Sequence, residues 1–437
     1  MKRPSRRSTV LATAAALALL AGGVQSASAA STPKGSAATG GPGAASYFDL
    51  ARKDCLGTAE NTTSKVWYTV ADGVLSDVYE PTVDNTNVST LQYVVTDGST
   101  FADLQTRDMT YTVQADASGM ACTITSTDAK HGFELVTTYV TDPQRDTVLM
   151  NTRIAPTRGS RTNVGKLQIY ARLDAHVNGD GGGGTQNAGG NTGIVDTRTG
   201  IPVVYSTNTT TEAANRSYAV PTYMALTSTS QGVASVGYEG TASDGLTQLG
   251  SSYALTQTTS AANGHIVATE NVTPTPRAGG EFTLALGFGR TQQQSISTAT
   301  ASLRTSFQRT EQAYTDTWRA YDRSLNRPPA SVPGQSEQTV AKTYYLDANV
   351  LKASEDKTFA GAVVASLASP WGQAINAGED VNGEPVYYGS YREIFARDSY
   401  EAFTGFLADG DLATARAQVE FLRTEAELGI FLSPRNA

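Results

Sequence analysis

Cysteine is nearly absent: 437 residues contain two, Cys55 and Cys122. That excludes a cysteine-dense scaffold, and without a C-x-x-C or a Cys/His cluster it excludes a thiolate zinc centre. Histidine is almost as scarce. His131, His176 and His265 stand singly, so each reads as a surface or satisfied core residue rather than a zinc ligand. No G-x-S-x-G elbow occurs, although a Ser-His-Asp arrangement built from distant positions stays open. A basic excess is missing too. Lys and Arg number 33 against 41 Asp and Glu, for a net charge of -8 and a pI of about 5.1, the reverse of a nucleic-acid binder's balance. The glycine-rich run Asn178 to Asn191 lacks the lysine and following helix of a phosphate cradle. It reads as a mobile surface loop that could border a neighbouring domain's site. Beyond the N-terminus no long apolar run occurs, so no stable membrane anchor is expected after processing.

What is present starts with an export signal. Lys2, Arg3, Arg6 and Arg7 precede the apolar run Val10 to Val24, and Ala27-Ser28-Ala29 offers a small-x-small cleavage pattern. Residues 1–29 are therefore expected to be removed and the protein secreted; Arg6-Arg7 alone is weak evidence for a twin-arginine route. Residues 30–46, rich in Gly, Ala, Ser and Pro, read as a flexible leader. In an oxidising compartment Cys55 and Cys122 could pair; two free buried thiols are the alternative.

Residues 47–294 read as short strands. Lys65 to Val70 and Val74 to Tyr79 flank Asp72-Gly73, a strong hairpin signal. Further β-prone runs are Leu91 to Thr96, Met109 to Gln114, Phe133 to Val140, Thr147 to Ile154 and Lys166 to Leu173. So many antiparallel strands imply two large packed sheets rather than a small barrel. The period changes near Ser295. Leu303, Phe307, Tyr314, Trp318, Tyr321 and Leu325 make one helical face, ended by Pro328-Pro329. Residues 295–335 thus form a helical linker. Helical patterns follow at Val340 to Leu351, Ser399 to Leu407 and Leu412 to Leu422.

Two segments carry chemistry: Leu351 to Gly372, and Tyr387 to Tyr400. In the second, aromatics mix with charges at a loop-to-helix junction. A ring stacks on a pyranose face, while Arg397 and Asp398 can address neighbouring hydroxyls with charge-assisted bonds. On spacing alone, a helix-start ion pair with Asp398 at the positive helix end explains the same residues.

Together these segments resemble family 15 glycoside hydrolases, the bacterial glucoamylases and glucodextranases. Lys352-Ala353-Ser354-Glu355-Asp356-Lys357 with Ser369-Pro370-Trp371-Gly372 is similar to the start of their catalytic domain. Tyr391, Phe395, Arg397 and Asp398 match a family pattern of Tyr, Trp, then Arg-Asp, with Phe395 in place of Trp. The resemblance implies that these four line the pocket for the non-reducing terminal glucose, the altered ring lacking an N–H donor. Upstream, Ser64 to Thr69, Asp72 to Leu75, Val78 to Asp84, Leu91 to Asp97 and Tyr139 to Pro143 resemble the family's N-terminal domain. The implied fold is a large antiparallel β-supersandwich followed, in residues 336–437, by the first helices of an (α/α)6 barrel. The implied activity is exo-acting and inverting, releasing glucose from the non-reducing ends of α-glucans. The resemblance implies no organic cofactor; Asp- and Asn-rich loops leave calcium open, without EF-hand spacing. A monomer is expected.

Inverting hydrolysis needs two carboxyl groups about 6.5–9.5 Å apart. The family's two catalytic glutamates lie well downstream of the Arg-Asp pair, yet only 39 residues follow Asp398. At about 12 residues per helix and about 5 per loop, the 102 residues from Ser336 hold about six helices, half a barrel. Glu379, Glu384 and Glu393 read as loop or surface carboxylates. No catalytic residue is therefore assigned, the general acid and base being expected beyond Ala437 and the chain being read as a fragment. The alternatives are a non-catalytic carbohydrate-binding remnant and a related sugar phosphorylase or trehalase.

Overall fold

A computed structural model describes residues 35–44, 53–179, 190–207, 209, 220–275, 279–367, 380–381, 384–385 and 394–427. The expected export signal, most of the glycine-rich run and Tyr391 lie outside them. In chain order the strands are β1 (Cys55–Thr58), β2 (Trp67–Ala71), β3 (Val74–Tyr79), β4 (Thr86–Thr96), β5 (Ala102–Leu104), β6 (Thr110–Ala115), β7 (Cys122–Asp128), β8 (Phe133–Thr141) and β9 (Thr147–Pro156). Then come β10 (Gln168–Gly179), β11 (Asn191–Val195), β12 (Pro202–Ser206), β13 (Thr222–Ser228), β14 (Ala234–Tyr238), β15 (Ser260–Gly264), β16 (Ile266–Asn271) and β17 (Glu281–Gly289). The helices are α1 (Gln105–Asp108), α2 (Gly245–Ser252), α3 (Gln292–Ser302), α4 (Phe307–Ser324), α5 (Glu337–Ala353), α6 (Ala396–Asp409) and α7 (Leu412–Glu427).

The strands form two antiparallel sheets, as expected from the alternating runs. One has the order β1-β2-β3-β4-β10-β16-β14, with β5 beside β4; the other runs β15-β11-β12-β13-β17-β9-β8-β7-β6. Asp72 and Gly73 both have positive φ (51° and 73°), the hairpin conformation that β2 and β3 require. Between the sheets lies one apolar core. Tyr93 of the first sheet meets Phe282 of the second edge-on at 5.6 Å, and its hydroxyl lies 2.8 Å from Thr152 Oγ1. The cysteines are bonded: Cys55 on one sheet joins Cys122 on the other, with Cα atoms 6.4 Å apart.

In its middle, at β12, β13, β17 and the start of β9, the nine-stranded sheet is buried on both faces. Val148, Met150, Met224, Leu226, Leu284 and Leu286 point into the inter-sheet core. The alternate residues Leu149, Ala225 and Ala285 join a second cluster with Ile296, Ala299, Phe307, Tyr314 and Trp318 of the helices. The helix-facing residues are small because α3 lies directly on the strand. A Cβ on Gly287 would sit 2.5 Å from Ala299 N, and one on Gly289 equally close to Ser295 N. The apolar face expected over Leu303 to Leu325 is divided, with α3 and α4 separated at Leu303 to Ser306. The helix ends before Pro328, and α5, α6 and α7 occupy the three later helical patterns.

Residues 35–44, which composition assigns to a flexible leader, run along the sandwich. Ala38 N donates to Ser260 O (2.7 Å), Thr259 N to Ser36 O (2.8 Å) and His265 N to Pro42 O (2.8 Å). Small residues permit this approach: a Cβ on Gly41 would be 2.8 Å from the Tyr238 ring. His265 sits beneath the strap, its Nε2 2.6 Å from Asp174 and its Nδ1 3.2 Å from the Ala44 carbonyl. Burial opposes the imidazolium, but the charges of Asp174 and Glu239 outweigh it and raise the pKa to about 9.

Two outcomes follow for stability. Replacing both cysteines by alanine should cost about 2–5 kcal/mol, since the bond closes a loop between positions 67 residues apart; a lowered Tm with an unchanged far-ultraviolet spectrum checks this. His265 holds a proton that the unfolded chain releases above its ordinary 6.5. Its contribution, on the order of 3 kcal/mol, is therefore full below pH 6.5 and lost as pH rises through 9. Thermal scans of His265→Gln against pH should show a deficit that shrinks over that window.

Candidate functional site

The candidate site is the start of α6, approached on one side by residues 354–367. Phe395 is the N-cap of α6 in extended conformation, without a side-chain cap bond. Arg397 and Asp398 follow in the first turn, Arg397 Nη2 lying 3.3 Å from Asp398 Oδ2. The Arg397 side chain is 76% exposed and that of Asp398 21% exposed. The carboxylate thus sits at the positive end of the helix, and the guanidinium faces solvent with most of its donors free to meet a ligand. Gln418 of α7 holds this turn by donating to the Ser399 carbonyl (3.0 Å). Phe395 and its neighbour Ile394 are half-buried, and Ile394 packs against the cluster containing Trp318 and Leu367. Three of the four anticipated sugar-contacting residues are therefore brought to one helix start. Tyr391, Glu379 and Glu393 fall outside the described residues, and Glu384 begins the short strand Glu384–Pro385.

The segment Lys352 to Lys357, anticipated as chemically active, is instead committed to docking. Lys357 Nζ donates to Thr58 Oγ1 and to the carbonyls of Ala59 and Ser64, and lies 5.0 Å from the centre of the Trp67 ring. Asp356 accepts from Val83 N (2.8 Å), Thr358 N (2.7 Å) and Phe359 N (2.8 Å). Lys352 pairs with Glu355 (2.6 Å) and bonds Thr414 of α7 (2.7 Å). Sequence reasoning missed this role. The available signal was two lysines and two carboxylates crowded directly after an amphipathic helix. The segment borders a cavity of about 60 Å3 with Thr58, Glu60 and Trp318, room for a few water molecules but not a sugar ring.

Elsewhere Asp103, Asp128 and His131 are the one described grouping with metal-ligand proximity. Their polar atoms satisfy one another, His131 Nδ1 lying 2.5 Å from Asp103 and 3.2 Å from Asp128. Among the described residues no helix is long and apolar enough to cross a membrane.

With this geometry in view, comparison with known proteins is informative. The family described as glucodextranase, domain N, matches residues 38–323. A glucoamylase from Clostridium sp. (strain G0005) is 28% identical over 390 residues, covering 88% of this chain and 49% of that protein. The crystal structure of a bacterial glucoamylase complexed with acarbose superposes with a TM-score of 0.71 at 27% identity, covering 89% of this chain and 52% of that one. The chain spans about half the length of these relatives.

The likenesses raise the question of which described carboxyl groups could act as acid or base. Glu80 is buried and tied through both oxygens to Arg290. Glu60 and Glu355 border only the small cavity. Glu270 has the most perturbed environment. It points into the inter-sheet core between Ala268 and Val272, beside Ala171 and Ala234, with both oxygens buried and unbonded. Burial alone raises its carboxyl well above the ordinary 4.5. Sealed between sheets, it reaches no substrate, so the perturbation is structural. The folded state keeps a proton that the unfolded chain releases, so Glu270 lowers stability increasingly as pH rises above 4.5. Glu270→Met should stabilise by about 1–3 kcal/mol at neutral pH, with a smaller gain near pH 4, as read by urea unfolding.

Proposed function

Since the chain belongs to the glucodextranase domain-N family, we propose that it is part of a secreted, exo-acting, inverting α-glucosidase that releases glucose from the non-reducing ends of α-glucans as a monomer. The observation that carries this reading is continuity. The likeness to the acarbose-bound glucoamylase covers 89% of the chain, so it runs past the sandwich into the helical part. In this reading α5, α6 and α7 open an (α/α)6 barrel. Arg397 donates to hydroxyls of the terminal sugar, Asp398 accepts from them, and Phe395 lies against the ring. No step calls for a cofactor. The Cys55–Cys122 bond and the positive, apolar N-terminus support export.

The two carboxyl groups of hydrolysis are assigned to helices outside these 437 residues. Supporting this, α6 and α7 expose Tyr400, Leu407, Leu412, Val419 and Leu422, each at least 40% accessible. Such a face suits packing against further helices. A non-catalytic sugar-binding chain is the second reading, favoured by the lack of a suitably placed carboxyl pair among the described residues.

Calorimetric titration with maltose and isomaltose tests the proposal. Saturable binding is expected, weakened about 10–100-fold in Arg397→Ala/Asp398→Ala, the loss of two charge-assisted hydrogen bonds, with Tm unchanged. Absence of binding, or full affinity in the double variant, overturns the site. Glucose release by the 437-residue chain overturns the external placement of the catalytic carboxyls.

A further inference from the structure

Lys357 is a half-buried lysine whose ammonium is held by a different part of the chain from the one that carries it. Its ammonium hydrogens go to Thr58 Oγ1 at the end of β1 and to Ala59 O and Ser64 O on the connection from β1 to β2, and Trp67 of β2 covers it. The adjacent Asp356 binds the Val83 amide on the loop between β3 and β4. One ammonium and one carboxylate thus bolt consecutive residues of the α5–α6 connection to two loops of the sandwich. Downstream the connection is wedged against the helices. A Cβ on Gly361 would lie 2.2 Å from Ala417 O of α7. Val363 packs with Ala402 and Phe406 of α6, and Gly361 N donates to Glu355 (2.9 Å).

We propose that Lys357 and Asp356 are positioning residues, through which the sandwich sets the place of residues 354–367, of the helices α6 and α7 packed on them, and hence of the turn carrying Arg397 and Asp398. The assignment rests on the sugar-binding reading above, and it gives the β-domain a role in recognition without contacting sugar. Desolvation pushes the Lys357 ammonium down to about 7, with Lys352 acting in the same direction, against the opposing pull of Glu60, Asp146 and Asp356. The three acceptors replace the water that burial removes from the ammonium. Arg, longer and planar, would not reproduce three converging bonds in this space.

The test uses the full 437-residue chain, with hydrogen exchange, maltose and isomaltose calorimetry, and tryptophan emission. Lys357→Met should speed amide exchange in residues 356–367 and the first turn of α6 by tenfold or more, leave β8, β9 and β17 unchanged, and weaken sugar binding at least fivefold. Asp356→Asn should act in the same direction with smaller effect. In the unsubstituted chain, emission should show a step near pH 7 that Trp67→Phe removes. Unchanged exchange in residues 356–367 and the first turn of α6, or uniformly faster exchange throughout the sheets, overturns the proposal. Should Lys357→Met not fold, the exchange pattern of Asp356→Asn decides. If the unsubstituted chain binds neither sugar, the sugar reading fails, and the exchange pattern still decides the role of Lys357.

Discussion

The middle strands of the nine-stranded sheet are buried on both faces, and the docking of the helices follows from that constraint. Its inner face is bulky because it fills the space between two sheets. Its outer face is reduced to alanine and glycine where α3 presses on β13 and β17. A β-branched or large residue at Gly287 or Gly289 would push α3 away from the strand. The alternation of large and small along Leu284-Ala285-Leu286-Gly287-Phe288-Gly289 is thus one strand serving two cores.

Upon this layer the helices dock through polar contacts to backbone carbonyls. Tyr314 donates to Met120 O (2.8 Å), Trp318 to Thr58 O (2.9 Å), Asn349 to Ser118 O (3.0 Å) and, in the reverse direction, Trp67 to Ala353 O (2.9 Å). Each is a directional bond to one backbone carbonyl, so the contacts select one docking position where apolar burial alone would tolerate several. Lys357 and Asp356 extend the same logic beyond α5. The site therefore begins at a joint between two parts of the chain, and its geometry belongs to neither alone.

The Arg397–Asp398 pair illustrates how one observation serves two readings. Its arrangement, an ion pair at a helix start, is what local electrostatics favours. Yet the guanidinium is largely exposed while the carboxylate is mostly covered, which leaves donors facing outward. In the proposed sugar-binding reading those outward donors meet the ligand; in the local reading the pair is a helix-start contact. Glu270 is the opposite case: a perturbed carboxyl that would draw attention in any search for catalytic groups, disqualified by the sealed core around it.

Local pattern alone determined β2, β3, β4, β6, β8, β9 and β10, the Asp72-Gly73 turn, the helical face from Phe307 to Tyr321 and the resemblance that named Phe395, Arg397 and Asp398. These depend on period, turn chemistry and short motifs, all properties of neighbouring residues. Tertiary structure alone decided that residues 35–44 form a strap rather than a free leader, that Cys55 meets Cys122, and that Lys357 is a pin between two parts of the chain. Composition suggested flexibility for the strap because small residues carry no packing signal of their own; their smallness matters only beside Tyr238 and β15. Likewise a lysine after a helix reads as solvated until the fold brings Thr58, Ala59 and Ser64, some 300 residues upstream, around its ammonium. Such long-range partners are set by how the sheets and helices pack, which no local pattern encodes.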